Sequence, residues 1–255
     1  MLEEEFKINL GDYKDSTILR RLNKHMALHQ ISSLENFYEF LKHQTDKRKN
    51  LFDDIFIGVT SFFRDVESFV CLKKAITNNI QSFNLNKTYR IWIPGCSTGE
   101  EAYSIAIVLH EIIEHLNTPI EFIVFATDLN EISIKSAAKG IYHKSKTTGL
   151  TTQQCTKYFD NINETYKIKS FLREHIIFAK HNLFIDPPFI KTDLISCRNL
   201  LIYLKNESQI SLIKRFEQSL NPNGLLFLGS SESISGDVPN FATIEKTCKL
   251  FQSIK

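Results

Sequence analysis

Two adjacent carboxylates, Glu100 and Glu101, directly follow the loop Gly95-Cys96-Ser97-Thr98-Gly99, and a third acid, Asp128, ends a later apolar run. Acids beside a glycine loop repel a phosphate and favour a ligand with hydroxyls or positive charge. A ribose diol, an amino group and a sulfonium suit them, so S-adenosylmethionine fits and a dinucleotide pyrophosphate fits poorly. A second set is Thr60-Ser61-Phe62-Phe63-Arg64-Asp65. Here either the two phenylalanines pack into a core with Arg64 outside, or they anchor its guanidinium towards a ligand carboxylate. A third set, Arg198-Asn199, follows another apolar run, and His181-Asn182-Leu183 follows a fourth.

These residues need a scaffold, and the hydrophobic pattern supplies one. Ile91-Trp92-Ile93 reads as a buried strand, Pro94 and Gly95 as its turn, and a helical pattern starts at Glu101. Ser97 or Thr98 is expected to cap that helix, and Gly99 to let the backbone approach a ligand. Further strands are predicted at Glu121–Thr127, Ile176–Ala179, Asp193–Cys197, Leu225–Gly229 and Cys248–Ile254, with helices between them. A helix from Asn206 to Leu220 is expected to stop at a turn, Asn221-Pro222-Asn223-Gly224. Strands alternating with helices predict an α/β fold with a mostly parallel sheet covered on both faces. Ligands of such sheets lie beyond the carboxyl ends of the strands, where Gly95–Glu101, Asp128, Asn182 and Arg198-Asn199 converge. Asp128 would hold the ribose diol; its alternative role is to cap the helix beginning at Asn130-Glu131.

Ile141–Arg173 breaks the repeat and is predicted to be an insertion, a small β subdomain with a short helix near Thr151–Phe159. Residues from about 1 to 80 read as helices. Ser16–His29 places Ile18, Leu19, Leu22, Met26 and Leu28 near one face, with Arg20, Arg21, Lys24 and His25 as a basic set. That set is either a solvated face or a docking face for an acidic helix. Ser32-Ser33 starts a helix with Phe37, Tyr38, Phe40 and Leu41 on its apolar side, and Lys42–Asn50 reads as a charged connector. A domain boundary is expected at residues 82–83, in a polar linker that includes Ser82.

Composition narrows the function classes. The chain has 255 residues, 42% hydrophobic and 24% charged, with a net charge of +2, so no strong field draws it to nucleic acid or anionic lipid. Its five cysteines lack zinc-ligand spacing, which predicts reduced thiols in a cytoplasm and no metal. No apolar run nears the roughly 20 residues of a membrane span, and the start MLEEEF is not a signal peptide. Asp186-Pro187-Pro188-Phe189 matches the signature of adenine amino methyltransferases, but it precedes a strand instead of following one and reads as a turn.

With these pieces assembled, the chain resembles the CheR family of chemotaxis receptor glutamate O-methyltransferases. The runs that carry the resemblance are TSFFRD at Thr60–Asp65, GCSTGEEAYS at Gly95–Ser104, ATDLN at Ala126–Asn130, GIY at Gly140–Tyr142, HNLF at His181–Phe184, CRNLLIYL at Cys197–Leu204 and GLLFLGSSES at Gly224–Ser233. The resemblance implies an all-α N-terminal domain (1–82) and an S-adenosylmethionine-binding Rossmann-like domain (83–255) with a β insertion at about 142–175. It implies Thr60, Arg64, Gly95, Glu101, Asp128, Asn182, Leu183, Arg198 and Asn199 around the cofactor, with Arg64 and Tyr203 orienting the transferred methyl. Gly58 stands where some members carry asparagine. The implied reaction methylates glutamate carboxylates on chemotaxis receptors and yields S-adenosylhomocysteine. The receptor's cytoplasmic part would meet Arg20, Arg21 and Lys24 of a cytoplasmic monomer. The rival function is a non-catalytic signalling module that binds S-adenosylmethionine or S-adenosylhomocysteine.

Overall fold

The first five helices precede every strand in the chain, and the second, third and fourth bury their apolar faces against one another. The computed structural model describes residues 1–56, 58–81, 83–84, 86–234 and 240–255. It begins with α1 (Leu2–Phe6), α2 (Asp15–Leu28), α3 (Leu34–Lys42), α4 (Thr45–Ile55) and α5 (Val66–Gln81). Met26, Phe37, Leu41, Leu51 and Ile55 form a small core, with Ile18 and Leu22 against it. Ser33 caps α3 by accepting from the Asn36 N–H, as its residue type favours. Leu19, Leu28 and Tyr38, predicted on apolar faces, are exposed. The predicted connector Lys42–Asn50 is corrected: most of it is the first half of α4, because Leu51, Phe52 and Ile55 give the segment a face to bury. Ser82, at the expected boundary, lies outside the described residues.

Next come β1 (Tyr89–Pro94), α6 (Glu100–Leu116), β2 (Phe122–Asp128) and α7 (Glu131–Lys139). The insertion holds β3 (Ile141–His143), α8 (Thr152–Tyr158), β4 (Phe159–Ile162) and β5 (Thr165–Ile168), and a short helix α9 (Ser170–Arg173) follows it. The chain then returns through β6 (Ile176–Lys180), β7 (Thr192–Cys197), α10 (Asn206–Ser219), β8 (Leu220–Leu228), β9 (Phe241–Glu245) and β10 (Leu250–Ser253). A seven-stranded sheet has the order β6-β2-β1-β7-β8-β10-β9, and the insertion is a separate three-stranded sheet, β3-β5-β4. β6, β2, β1, β7 and β8 pair in parallel, while β10 is antiparallel to both its neighbours.

Alternation along the central strands fills both faces. Ile91, Ile93, Leu194, Leu225 and Phe227 enter the core beneath α5 and α6. Trp92, Ile195, Leu226 and Leu228 enter the opposite core with Leu212, Ile213 and Phe216 of α10. Successive side chains of a strand point to opposite faces, so a continuous apolar run is what a doubly covered strand requires.

Three local expectations are corrected. β8 runs through Asn221-Pro222-Asn223-Gly224, the predicted turn, because Leu220 already pairs with Thr192 and a register shift absorbs the irregular residues. β9 carried no sequence signal, since four of its five residues are exposed. Cys71 on α5 and Cys248 form a disulfide with Cα atoms 6.5 Å apart, where five thiols are expected; the fold brings together residues separated by 177 positions. Among the described residues no helix is long and apolar enough to cross a membrane.

Gly99 has a packing role that the sequence did not show. At φ +94° it starts α6, and a Cβ there would lie 2.9 Å from the Ala137 Cβ and 3.1 Å from the Tyr142 hydroxyl. The glycine therefore admits α7 and the insertion. Gly99→Ala is expected to cost about 1–3 kcal/mol through backbone strain and overpacking. Urea unfolding would show it, and a loss below about 0.5 kcal/mol would mean that the contact relaxes freely. Neither Ser97 nor Thr98 caps α6: Ser97 Oγ donates to the Gly58 carbonyl at 3.3 Å and Thr98 Oγ1 to Glu100 Oε2 at 2.6 Å.

The sheet order sets the position of the site. From β1 the chain moves outward to β2 and β6, then crosses back to β7 on the other side of β1. The loops after β1 and β7 therefore part in opposite directions and leave a crevice between them.

Candidate active site

That crevice is a cavity open to solvent, walled by loops of the sheet and by the first helices. Gly95, Asp128, Asn182, Leu183, Arg198 and Asn199 line it, and Tyr203 stands in the same wall. Gly58 also lines it. Thr60, Arg64 and Glu101 are not in its lining. Arg64 instead donates from Nη1 to the Val59 carbonyl at 3.0 Å.

Asp128 is the lining carboxylate at the end of β2. Its Oδ2 accepts from the Ser97 N–H and its Oδ1 from the Asn130 N–H, both at 2.8 Å. These bonds tie the loop after β1 to the loop after β2 and leave further lone pairs on each oxygen. Burial raises the Asp128 pKa, opposed by backbone N–H groups of Asn130, Ser97 and Leu129. The predicted cap role is taken by Asn130, whose side chain accepts from the Ser133 N–H at 2.9 Å.

Glu101 joins the site through Arg198. The Arg198 side chain is fully buried; Nη1 lies 3.3 Å from Glu101 Oε2, and Nη2 lies 2.8 Å from Asp65 Oδ2 and 2.9 Å from the Arg64 carbonyl. Its guanidinium stacks on Phe227, with the carbon 4.6 Å from the ring centre. Ser196 Oγ donates to the other Glu101 oxygen at 2.7 Å. Burial nevertheless raises the Glu101 pKa, with Arg198 and Ser196 opposing. The arginine thus braces Arg64-Asp65 against α6 and presents little of its own polar surface to a ligand. The pair Phe62 and Phe63 is buried, in keeping with core packing.

The side chain of Asn182 is similarly committed: Nδ2 donates to the Lys7 carbonyl and Oδ1 accepts from the Phe184 N–H, both at 3.0 Å. Asp186 accepts from the Asn182 N–H at 2.7 Å, and His181 Nε2 sits 3.0 Å from the Pro187 carbonyl, so Asp186–Phe189 acts as a structural turn. Left-handed backbone recurs at non-glycine residues here: Ser97 and Asn199 line the cavity, Phe63 and Asp65 belong to the segment that Arg198 braces, and all four have φ between 48° and 61°. Each costs conformational energy that the surrounding bonds must hold.

Sequence reasoning missed the wall supplied by the N-terminal helices. Tyr13, Thr17, Ile55 and Phe56 line the cavity, with Arg20 and Arg21. A strap before α2 holds this wall in place: the Lys14 N–H donates to the Tyr203 carbonyl and the Lys205 N–H to the Asp12 carbonyl, each at 2.9 Å. Burial pushes the Tyr13 hydroxyl well above its ordinary range, with Asp12 and Asp128 adding to the effect. No local motif marks a tyrosine whose role depends on a strand bridge to Leu204. Arg21, Lys24 and His25, three of the predicted basic set, gather on Asp54 of α4 at 2.9–3.6 Å. Much of that charge is therefore spent inside the helical domain.

The donor set matches S-adenosylmethionine. Asp128 offers acceptors for a diol, and Ile55, Phe56, Leu129, Leu183 and Leu200 offer apolar walls for a flat base. Comparison with known families decides the matter. The CheR methyltransferase SAM-binding domain matches residues 58–250, and the CheR methyltransferase all-alpha domain matches residues 1–56. The chain belongs to the CheR methyltransferase family. It is a methyltransferase with S-adenosylmethionine as cofactor. A chemotaxis protein methyltransferase of Borreliella burgdorferi is 31% identical over 240 residues, covering 91% of this chain and 85% of that protein. One from Listeria monocytogenes is 29% identical over 234 residues, 92% of this chain and 87% of its own. An uncharacterized 104.1 kDa protein of Rhodobacter capsulatus is 34% identical over 250 residues, 98% of this chain. The chain spans only 26% of that protein's length.

Proposed function

We propose that this CheR-family chain methylates glutamate side chains of chemotaxis receptors, giving glutamate methyl esters and S-adenosylhomocysteine. One observation carries the reading: Arg20, which is not among the cations gathered on Asp54, lines the same cavity as Asp128 and Tyr203. A cationic entrance beside a cofactor cleft suits an anionic acceptor. The names of relatives from Borreliella and Listeria support chemotaxis as the setting.

S-adenosylmethionine, when bound, would supply an electrophilic sulfonium methyl: a carboxylate oxygen bonds to the methyl carbon as the carbon–sulfur bond breaks, and its electron pair leaves on the sulfur of S-adenosylhomocysteine. A receptor glutamate, with an ordinary pKa of about 4.3, is already ionised at neutral pH, so the chain needs no general base. Its task is alignment and exclusion of water. Asp128 would hold the ribose, and Asn182, Leu183 and Asn199 would line the adenosine. Tyr203 would orient the acceptor at the mouth, and Arg198 would hold Glu101 and the Arg64 loop in register. A helical domain within residues 1–82 would present the receptor to a catalytic domain formed by residues 83–255.

The test uses methyl-labelled S-adenosylmethionine with membranes bearing candidate receptors, followed by alkali. Methyl esters release volatile labelled methanol, whereas N-methyl groups stay in place, so base-stable label would overturn the glutamate assignment. S-adenosylhomocysteine binding without transfer to any receptor would favour a sensor module. Arg20→Glu is expected to raise the KM for receptor about tenfold while the Kd for S-adenosylhomocysteine stays within about threefold. An unchanged receptor KM would remove α2 from the acceptor's path.

A further inference from the structure

Glu232 lies beyond β8 in the run Ser230-Ser231-Glu232-Ser233, away from every predicted cofactor residue in sequence, yet only 4% of it is exposed. Its carboxylate accepts three backbone N–H bonds. Oε2 takes the Gly229 N–H at 2.6 Å and the Asn199 N–H at 2.9 Å, and Oε1 takes the Leu201 N–H at 2.7 Å. Two of the donors belong to the loop after β7. That loop carries Arg198 and Asn199 into the cavity and leads into the short 3-10 turn Leu201–Tyr203. Asn199 is in left-handed backbone at φ 58°, a conformation that needs an outside hold.

Gly229 gives independent evidence that this contact is built closely. A Cβ at Gly229 would stand 2.7 Å from Glu232 Oε2, 2.9 Å from the Asn199 N and 2.9 Å from Asn199 Nδ2. The end of β8 lacks a side chain where the carboxylate and the turn meet.

We propose that Glu232 is a positioning residue for methyl transfer, an anionic clamp that sets the Arg198–Tyr203 turn without touching the cofactor. It rests on the methyltransferase reading only for its kinetic consequence; the clamp itself is a property of the loop. The two oxygens divide the work. Oε2 holds Asn199, at the cofactor wall, and Oε1 holds Leu201, at the base of the Tyr203 turn. Charge-assisted bonds of this kind are among the stronger ones available to a loop.

Glu232→Gln separates the two halves. An amide keeps its oxygen where two N–H donors converge, on Gly229 and Asn199, and its NH₂ then faces the Leu201 N–H, donor against donor. The expected result is a fall in kcat of about tenfold, with the Kd for S-adenosylhomocysteine within about threefold of wild type. Glu232→Ala and Gly229→Ala, which disturb the Asn199 contact as well, are expected to weaken S-adenosylhomocysteine about tenfold by calorimetry.

Amide hydrogen exchange supplies a readout independent of turnover. Exchange across 201–203 should quicken about tenfold in Glu232→Gln, while the Asn199 amide and those of β1 and β7 hold their wild-type rates. Slower kcat with unchanged exchange in the turn, or exchange that quickens equally throughout the sheet, would overturn the clamp. Faster exchange confined to the turn, in a protein whose wild type transfers no methyl group, would uphold the clamp and reject the methyltransferase reading instead.

Discussion

Asp128→Ala should weaken S-adenosylhomocysteine binding by about 100-fold, roughly 2.7 kcal/mol. Two losses combine. The cavity loses the carboxylate that would accept from a ribose diol, and the Ser97 and Asn130 N–H groups lose their partner. An unpaired buried donor costs about 1–3 kcal/mol, so the loop after β1 also loosens. Titration calorimetry at pH 7.5, about neutral for this purpose, would read the affinity, with circular dichroism to confirm the fold. A change smaller than about threefold would take Asp128 out of the cofactor site.

The same residue predicts a pH dependence with opposite signs for two quantities. Burial raises the Asp128 pKa, so the native state without cofactor binds its proton at pH values where the unfolded chain has lost it. This contribution favours folding at low pH and is lost as pH rises through the raised value. Cofactor affinity runs the other way if the ionised carboxylate is the acceptor. It is held above the raised pKa and falls below it, from a higher pH than the ordinary aspartate value of about 3.9 would give. Affinity that stays level on acidification down to that ordinary range would contradict the assignment.

Arg198→Met should lower the stability of the protein by about 3 kcal/mol, near the lower end for breaking a buried ion pair. The arginine is fully buried between Asp65 and Glu101, and methionine fills much of its volume without replacing the charge. Glu101 would retain Ser196 but lose its cation, and its already raised pKa would climb further. Through the window above the unfolded glutamate value the native state then binds more protons than the unfolded chain, so stability falls as pH rises. The loss should therefore be larger at about pH 8 than at about pH 5, as measured by urea unfolding at both. Equal losses at the two values would show that Glu101 does not titrate with the pair. The loop bearing Arg64 should move as well, because Arg198 also holds its carbonyl at 2.9 Å.

Much of the architecture was legible from local pattern. Ile91-Trp92-Ile93 read as a buried strand, and Gly95–Glu101 after it as a loop leading into a helix, and the structure has both. Asp128 at the end of the next strand followed from the same period. Short-range chemistry was readable too, as in the Ser33 cap of α3. Segments whose conformation depends on distant partners were not. The first half of α4 looked like a charged connector because its buried residues lie at its far end. The Asn-Pro-Asn-Gly run looked like a turn because nothing local records that Leu220 pairs with Thr192.

By itself, then, the sequence determined an α/β sheet with its acids at the strand ends, since hydrophobic period and glycine placement act over a few residues. It also determined the family, through the runs from Thr60 to Ser233. Only the tertiary structure decided what those acids and cations do. Arg198 became a buried strut because α6 and the Asp65 loop meet around it. Gly99 became a packing residue because Ala137 lies 2.9 Å from where its Cβ would be. Tyr13 and Glu232 joined the site from opposite ends of the chain, Tyr13 on a strap and Glu232 on three backbone bonds. Contacts across nearly two hundred residues are set by topology, and no window of sequence contains them.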